Sequence, residues 1–152
     1  MRDIWVSNNI CLERIVGSKK QVSVLFQLLK QREHNISNTS IPSFADHSEF
    51  VKGHPYRAWY LIKLNELYVG SVYVMKNNCI GISMTDSTSF FPQIINAISK
   101  KYRPLKEIKS VRPPFFYINI APNNTQIESQ LLQIGATKIQ STYTLESIKI
   151  NF

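Results

Sequence analysis

The chain has 152 residues, of which 43% are hydrophobic and 11% aromatic, a composition typical of a folded domain with a sizeable core and not of a disordered segment. No apolar run approaches the roughly 20 residues that a membrane-spanning helix needs, and the N-terminal MRDIWVSNN lacks the apolar segment of a secretory signal. We therefore expect a single domain over residues 1–152, without a membrane span and located in the cytoplasm.

The first predicted elements are a strand and an amphipathic helix. Residues 10–16 (ICLERIV) are predicted to form the strand. Residues 21–32 (QVSVLFQLLKQR) place apolar side chains at helical spacing. The apolar face predicted for this helix consists of Val24, Leu25, Leu28 and Leu29.

A short helix and a β-hairpin are predicted next. A polar loop over residues 35–42 precedes the helix, which covers residues 44–51. Residues 58–64 (AWYLIKL) and 68–75 (YVGSVYVM) are rich in aromatic and β-branched side chains, as strands are. The residues between them, 65–66, are Asn-Glu and predict the tight turn of a hairpin.

A third strand and a further helix follow the hairpin. Residues 79–84 (CIGISM) predict the strand, and residues 92–102 predict a helix that begins at Pro92. Cys11 and Cys79 both fall in predicted strands and show no metal-ligand spacing. We expect buried thiols in a reducing compartment and no metal site.

The last third of the chain predicts a strand, a helix and a second strand. Residues 115–120 are aromatic and β-branched, and Pro122 ends that run. Asn124 has the chemistry of a helix N-cap, and Gly135 lies where a helix C-terminus favours a positive φ. Residues 138–145 alternate between polar and apolar side chains and predict a closing strand.

This order of elements resembles the GNAT superfamily of acyl-CoA-dependent N-acyltransferases. The resemblance covers residues 10–147 and is carried in the C-terminal half by Asn119, Pro122, Asn124 and Gly135. It implies an α/β (α+β) fold of one domain, in which a central mixed, mostly antiparallel, twisted sheet of six to seven strands is flanked by about four helices. It also implies acetyl-CoA as the acyl donor.

The segment over residues 35–62 resembles a narrower group of GNAT proteins, associated with bacterial surface polysaccharides, that acylate the amine of an amino sugar. The residues that match this group are Asn35, Ser37, Pro42, His47, Pro55, Tyr56, Arg57, Trp59 and Tyr60. The implied acceptor is a small-molecule amine, either an amino sugar or a nucleotide-linked amino sugar. The implied contacts to it come from Asn35, Ser37, Tyr56, Arg57 and Trp59.

The loop that would hold the pyrophosphate of acetyl-CoA departs from the GNAT pattern. That loop is usually rich in glycine, whereas residues 85–92 (TDSTSFFP) contain no glycine and no basic residue. Its hydroxyl groups either donate to the phosphates or cap the helix that follows. The contacts to acetyl-CoA implied by the resemblance come from Ser83, Met84, Thr85, Ser87, Thr88, Ser89, Asn119 and Asn124.

The groups that would move protons also depart from the pattern. Cys79 replaces a glutamate that related proteins often carry, and a buried thiol is a poor base. His47 and His54 are therefore the candidate bases, because an unperturbed imidazole has a pKa of about 6.5. Leu131 replaces a tyrosine of the last helix, which leaves Tyr143 as the candidate acid. For each of these side chains, a purely structural role is the alternative.

The sequence is consequently compatible with two functions. The first, which we rank ahead, is acetyl transfer to the amine of an amino sugar, since positioning supplies much of the rate of such a reaction. The second is a catalytically impaired GNAT-like domain that serves as a binding or scaffolding module. An exposed edge strand in such a sheet can pair with a second copy, so a homodimer is also an option.

The net charge of +8 makes nucleic acid a further candidate partner. Much of the charge lies after the helix that begins at Pro92. The basic residues of this segment are Lys100, Lys101, Arg103, Lys106, Lys109 and Arg112. A basic connector of this kind is more typical of a solvated face, so nucleic acid is not the expected partner.

Overall fold

The computed structural model of the protein describes residues 2–32, 40–85 and 89–148. Over these residues the strands are β1 (Ile4–Trp5), β2 (Ile10–Arg14), β3 (Ala58–Leu64), β4 (Leu67–Val74), β5 (Cys79–Met84) and β6 (Tyr117–Ile118). The helices are α1 (Lys19–Lys30), α2 (Phe44–Lys52), α3 (Phe91–Lys101) and α4 (Thr125–Gln133). None of these helices has the length and apolar composition that crossing a bilayer requires.

The six strands form one sheet in which the spatial order is the chain order, from β1 to β6. Neighbours from β1 to β5 are antiparallel, whereas β6 runs parallel to β5. The hairpin turn between β3 and β4 places Asn65 at φ 48° and Glu66 at φ 71°. Two consecutive positive φ values give the turn the right-handed twist of the strands it joins. The prediction of a mixed, mostly antiparallel sheet with four helices is confirmed.

Helices cover both faces of the sheet because side chains alternate along each strand. Tyr60 of β3 faces α3 and packs with Ile94 and Ile98, and all three side chains are fully buried. Leu61, the next residue of β3, belongs to the cluster that α1 and α2 cover with Val22, Leu25 and Val51. On α1, Leu28 and Leu29 of the predicted apolar face are only half-buried.

Side-chain caps begin three of the helices. Ser18 accepts a hydrogen bond from the backbone of Gln21 at the start of α1, and Ser43 does the same for α2. Asn124 caps α4 through the backbone N–H of Ile127, and Gly135 follows α4 with φ 94°. The predicted roles of Asn124 and Gly135 in bounding this helix are confirmed.

The prediction of a closing strand over residues 138–145 is wrong. This segment is not a strand, and its apolar side chains Ile139, Tyr143 and Leu145 are exposed. An alternating pattern forms a strand only where a neighbouring edge accepts its backbone, and no described strand pairs with this segment. The strand predicted over residues 115–120 is likewise shortened to β6, which pairs with β5 alone.

Candidate functional site

The parallel strands β5 and β6 separate part-way along their length. Their register consists of Cys79 opposite Tyr117 and Ile80 opposite Ile118. From Gly81 to Met84, β5 remains paired with β4, but no described residue pairs with it on the β6 side. A free strand edge offers backbone N–H and C=O groups to an extended ligand. This separation is therefore a candidate binding site.

Tyr73 of β4 lies directly over the start of the separated part of β5. A Cβ atom on Gly81 would overlap the phenol end of the Tyr73 ring, so only glycine leaves room for it. The Tyr73 ring also stacks on Tyr56, with 4.1 Å between the centroids and 5° between the planes. The hydroxyl of Tyr73 is thus held at the point where β5 and β6 separate.

Tyr56 and Tyr73 belong to a larger group of aromatic side chains beside β5. We call this group the aromatic cluster, and it consists of Phe50, His54, Tyr56, Trp59 and Tyr73. Trp59 lies at its centre, with ring centroids 5.1 Å from both His54 and Tyr56. Phe50 is 45% exposed, so the cluster reaches the surface.

The indole of Trp59 carries a hydrogen-bond donor that no described residue uses. Trp59 is 7% exposed, and its Nε1 atom is buried without a protein partner. A buried Trp N–H usually finds a partner, since leaving one unpaired costs about 1–3 kcal/mol. This donor is consequently a candidate contact for a substrate oxygen.

The thiol and the two phenols around the start of β5 hold their protons at neutral pH. Burial raises the pKa of the Cys79 thiol, whose sulfur lies 3.7 Å from the Asn119 amide nitrogen. Burial also raises the pKa of Tyr73, and it raises the pKa of Tyr56 to about 12. Cys79 therefore stays a thiol, while the two phenols act as hydrogen-bond donors.

His54 lies within the aromatic cluster as a neutral donor. Burial, reinforced by the charge of Arg14, lowers the pKa of His54. Its Nδ1 atom accepts the backbone N–H of Tyr56 at 3.2 Å. In a neutral imidazole whose Nδ1 accepts, the proton is on Nε2, so that atom donates and is not a base.

His47 lies away from the aromatic cluster, between α1 and α2. Its Nε2 atom is 3.0 Å from the carbonyl oxygen of Val22, and its ring contacts Phe26 and Phe44. Because a carbonyl only accepts, Nε2 carries the proton in this contact. The buried imidazole thereby joins the two helices.

The other predicted site residues are divided between the candidate site and positions away from it. Asn35, Ser37, Ser87 and Thr88 lie outside the described residues. Tyr143 is 83% exposed in the segment without secondary structure and is not brought to the aromatic cluster. Arg57 is half-buried at the start of β3, and its guanidinium donates to the carbonyl oxygen of Arg103 at 2.8 Å.

Known structures resemble this arrangement, although no protein-family model and no curated protein sequence matches the chain. The Microcin C7 self immunity acetyltransferase MccE, solved with acetyl-CoA and AMP, superposes with a TM-score of 0.60 at 16% identity, covering 86% of this chain and 79% of that one. The ribosomal L7/L12 acetyltransferase RimL, solved with coenzyme A, superposes with a TM-score of 0.60 at 14% identity, covering 88% and 83%. The chain has the GNAT fold. A possible acetyltransferase from Clostridium difficile 630 is also similar, with a TM-score of 0.55 at 11% identity and coverage of 93% and 100%.

Within this GNAT fold, the described residues among the predicted acetyl-CoA contacts lie on β5, just after β5 and β6, and at the starts of α3 and α4. Ser83 and Met84 are on the separated part of β5, and Asn119 follows β6. Thr85 uses both its N–H and its hydroxyl on the carbonyl oxygen of Val69, at 2.8 and 3.1 Å. The hydroxyl proton of Thr85 is therefore already used within the protein.

Two further predicted contacts, Ser89 and Asn124, lie at the N-termini of helices. Ser89 is exposed just before α3, where the N-cap residue Phe90 makes no side-chain cap and where Pro92 contributes no N–H. Asn124 uses its side-chain oxygen to cap α4. Among the described residues at these two helix starts, the backbone N–H groups of α3 are the candidate donors to a phosphate.

Proposed function

We propose that the protein is an N-acyltransferase that moves an acetyl group from acetyl-CoA to a primary amine. The observation that carries the proposal is the phenol of Tyr73, which lies over Gly81 where β5 and β6 separate. It places a proton donor beside an open strand edge. MccE and RimL, which share the fold, were solved with acetyl-CoA and with coenzyme A.

The residues present fit an acyl-CoA donor along the separated strands. Backbone groups from Gly81 to Met84 would hold the extended arm, and Asn119 lies on the opposite side of the separation. The N-terminus of α3, where Phe90 provides no side-chain cap, would attract the phosphates. Bound there, acetyl-CoA supplies a thioester whose C–S bond breaks as the amine nitrogen bonds to the acyl carbon, and the amine proton ends on the thiol.

Tyr73 is the residue that we assign to the departing thiolate. Its raised pKa keeps the proton on Oη at neutral pH, so the phenol can donate to a developing negative charge. Its stacking on Tyr56 and its contact with Gly81 fix the ring. This preorganisation means that the donor needs no rearrangement during the reaction.

We propose no protein side chain as the base. Over the described residues, carboxylates are not among the charges that shift the pKa of Tyr73 or Cys79, and His54 uses its free lone pair on the backbone of Tyr56. The amine therefore reacts in its neutral form or loses its proton to water. The transfer rate is accordingly expected to rise with pH as the free amine becomes the major form.

The acceptor that we propose is an amino sugar or a nucleotide-linked amino sugar. The exposed ring of Phe50, at the edge of the cluster, suits a sugar ring, and the unpaired N–H of Trp59 suits one of its oxygens. Arg57, next to Tyr56 in the chain, supplies a positive charge for a phosphate. A cytoplasmic location and pairing of two copies through the edge of β1 belong to the same proposal.

The test follows thiol release from acetyl-CoA with three classes of amine. These are free amino sugars, UDP-linked amino sugars and a peptide with an N-terminal serine, the group that the similar Salmonella typhimurium acetyl transferase modifies on ribosomal protein L7/L12. We expect transfer to the sugars and little to the peptide. Transfer to the peptide alone would refute the proposal of an amino-sugar acceptor. A lack of transfer to all three classes of amine would refute the proposed transferase activity.

Variants then distinguish a catalytic role of the Tyr73 hydroxyl from a structural role. Tyr73→Phe is expected to lower kcat about 100-fold while leaving the KM for the amine unchanged. Tyr68→Phe is the matched control, because Tyr68 lies on the same strand and its hydroxyl donates to Glu13. A normal kcat in Tyr73→Phe with a reduced kcat in Tyr143→Phe would instead identify Tyr143 as the acid.

A binding module is the second candidate function. It is favoured by the thiol of Cys79 beside Tyr73, where the described residues supply no carboxylate as a base, and by Leu131 in α4. This function predicts that acetyl-CoA raises the melting temperature without being consumed. The thiol-release assay on the same protein distinguishes the two functions.

A further inference from the structure

Two arginines meet around Tyr102 at the end of the sheet where β3 begins. Arg14, the last residue of β2, donates through Nη1 to the hydroxyl of Tyr102 at 2.9 Å and to that of Tyr60 at 3.2 Å. Arg57 lies on the ring of Tyr102, with its guanidinium carbon 5.3 Å from the centroid. The carbonyl oxygen of Arg103 orients Arg57 from the other side.

Neither guanidinium is neutralised by a carboxylate of the part of the chain that the structure describes. The ion pairs among the described residues join Lys63 to Glu13 and to Glu66 and do not include an arginine. Asp3 is the nearby acid, and its carboxylate accepts the backbone N–H of Arg14 at 2.8 Å. Each arginine has five N–H donors, and the observed contacts use only a few of them.

The hydroxyl of Tyr102 also has a proton to donate. Tyr60 and Tyr102 share a short hydrogen bond in which either oxygen can be the donor. Tyr60 is fully buried, so its proton must be satisfied inside the protein, and Tyr102 is the acceptor within reach. The proton of the half-buried Tyr102 is then left for another group.

The positive charge is partly withdrawn from water, which strengthens its action on nearby groups. Arg14, Arg57 and Tyr102 are each half-buried. The charge of Arg14 reaches His54 in the aromatic cluster, where it disfavours protonation. A dianion with several oxygens would accept from two guanidinium groups and one phenol at once, as a planar carboxylate would not.

We propose that Arg14, Arg57 and Tyr102 form a binding site for the phosphate group of a small molecule. The binding itself does not depend on the proposed transferase activity. The phosphate is either free inorganic phosphate or part of a nucleoside diphosphate. Both offer the same kind of oxygen atoms to these three side chains.

The test is calorimetric titration of the full chain at constant ionic strength with inorganic phosphate, UDP and acetate. We expect saturable binding of phosphate, with acetate at least tenfold weaker. Tighter binding of UDP than of phosphate would identify the nucleotide as the source, and equal or weaker binding would identify free phosphate. Binding of acetate as tight as that of phosphate, or no binding of either phosphate or UDP at millimolar concentration, would overturn the proposal.

Arg57→Gln and Tyr102→Phe are the informative variants, because Arg14 also supports buried Tyr60 and its loss risks unfolding. We expect Arg57→Gln to weaken phosphate binding at least tenfold and Tyr102→Phe several-fold, in variants whose melting curves stay cooperative. Arg112→Gln is the matched control, since Arg112 donates to the carbonyl oxygens of Lys106 and Lys76. Equal weakening in Arg112→Gln would show attraction to overall charge and would refute the site.

Discussion

Asn78 joins the start of β5 to the segment after α3, and its replacement tests that connection. The side chain is fully buried and its backbone has φ 72°. Its Nδ2 atom donates to the carbonyl oxygens of Leu105 and Pro113 at 2.9 and 2.8 Å, and its Oδ1 atom accepts the N–H of Leu105 at 2.8 Å. One side chain thus satisfies three backbone groups.

The size of the effect follows from these contacts. In Asn78→Ala, three hydrogen bonds are lost at about 1 kcal/mol each. A side chain at positive φ adds about 1 kcal/mol of backbone strain, which Asn relieves by local hydrogen bonding and alanine does not. We therefore expect the free energy of unfolding to fall by about 4 kcal/mol, against a total of about 5–15 kcal/mol for a domain.

Urea denaturation followed by tryptophan fluorescence measures this change. Asn78→Gly is the matched control, because glycine removes the hydrogen bonds but tolerates the positive φ, and it should lose about 1 kcal/mol less than alanine. A loss below about 1.5 kcal/mol in Asn78→Ala, or equal losses in the two variants, would refute the reasoning about the contacts or about φ, respectively.

Three further predictions concern the candidate site and its surroundings. Gly81→Ala should destabilise the fold by about 1–3 kcal/mol and lower kcat, since the new methyl group displaces the ring of Tyr73; unchanged urea midpoint and kcat would contradict this. The pKa of Tyr56 is raised from 10.0 to about 12, so the stability that its protonated form provides is present below pH 10 and lost toward pH 12; urea midpoints at increasing pH should fall over this window, and Tyr56→Phe should flatten the fall. His47→Ala should lower the urea midpoint and leave kcat of the folded protein unchanged, because the imidazole joins α1 to α2 through Val22; loss of kcat at unchanged stability would make His47 catalytic.

The sequence predicts the elements that rest on local chemistry. The predicted tight turn at residues 65–66 forms, with positive φ at both residues, and Asn124 and Gly135 bound α4 as expected. These features depend on a few neighbouring residues, so their patterns are readable without the fold. The prediction of a closing strand over residues 138–145 is wrong because an alternating pattern carries no information about a partner strand.

The candidate site depends on register and packing, which the sequence does not display. Tyr73 lies over Gly81 because β4 and β5 pair those two positions across the sheet. Gly81 within a strand pattern was the available signal, since a glycine there often marks a close approach by another group. The meeting of Arg14 with Tyr102, which are 88 residues apart, gave no local signal at all.

The order of the strands has a consequence for how this protein folds. From β1 to β5 each strand pairs with its predecessor in the chain, whereas β6 reaches β5 only by a crossover through α3. Strands β3, β4 and β5 follow one another over short turns and can therefore assemble first, whereas the two-residue parallel pairing of β5 with β6 forms over the connection that contains α3. A ligand seated between β5 and β6 would complete that pairing. Its binding should slow hydrogen exchange at Gly81 to Met84 more than in β3 or β4.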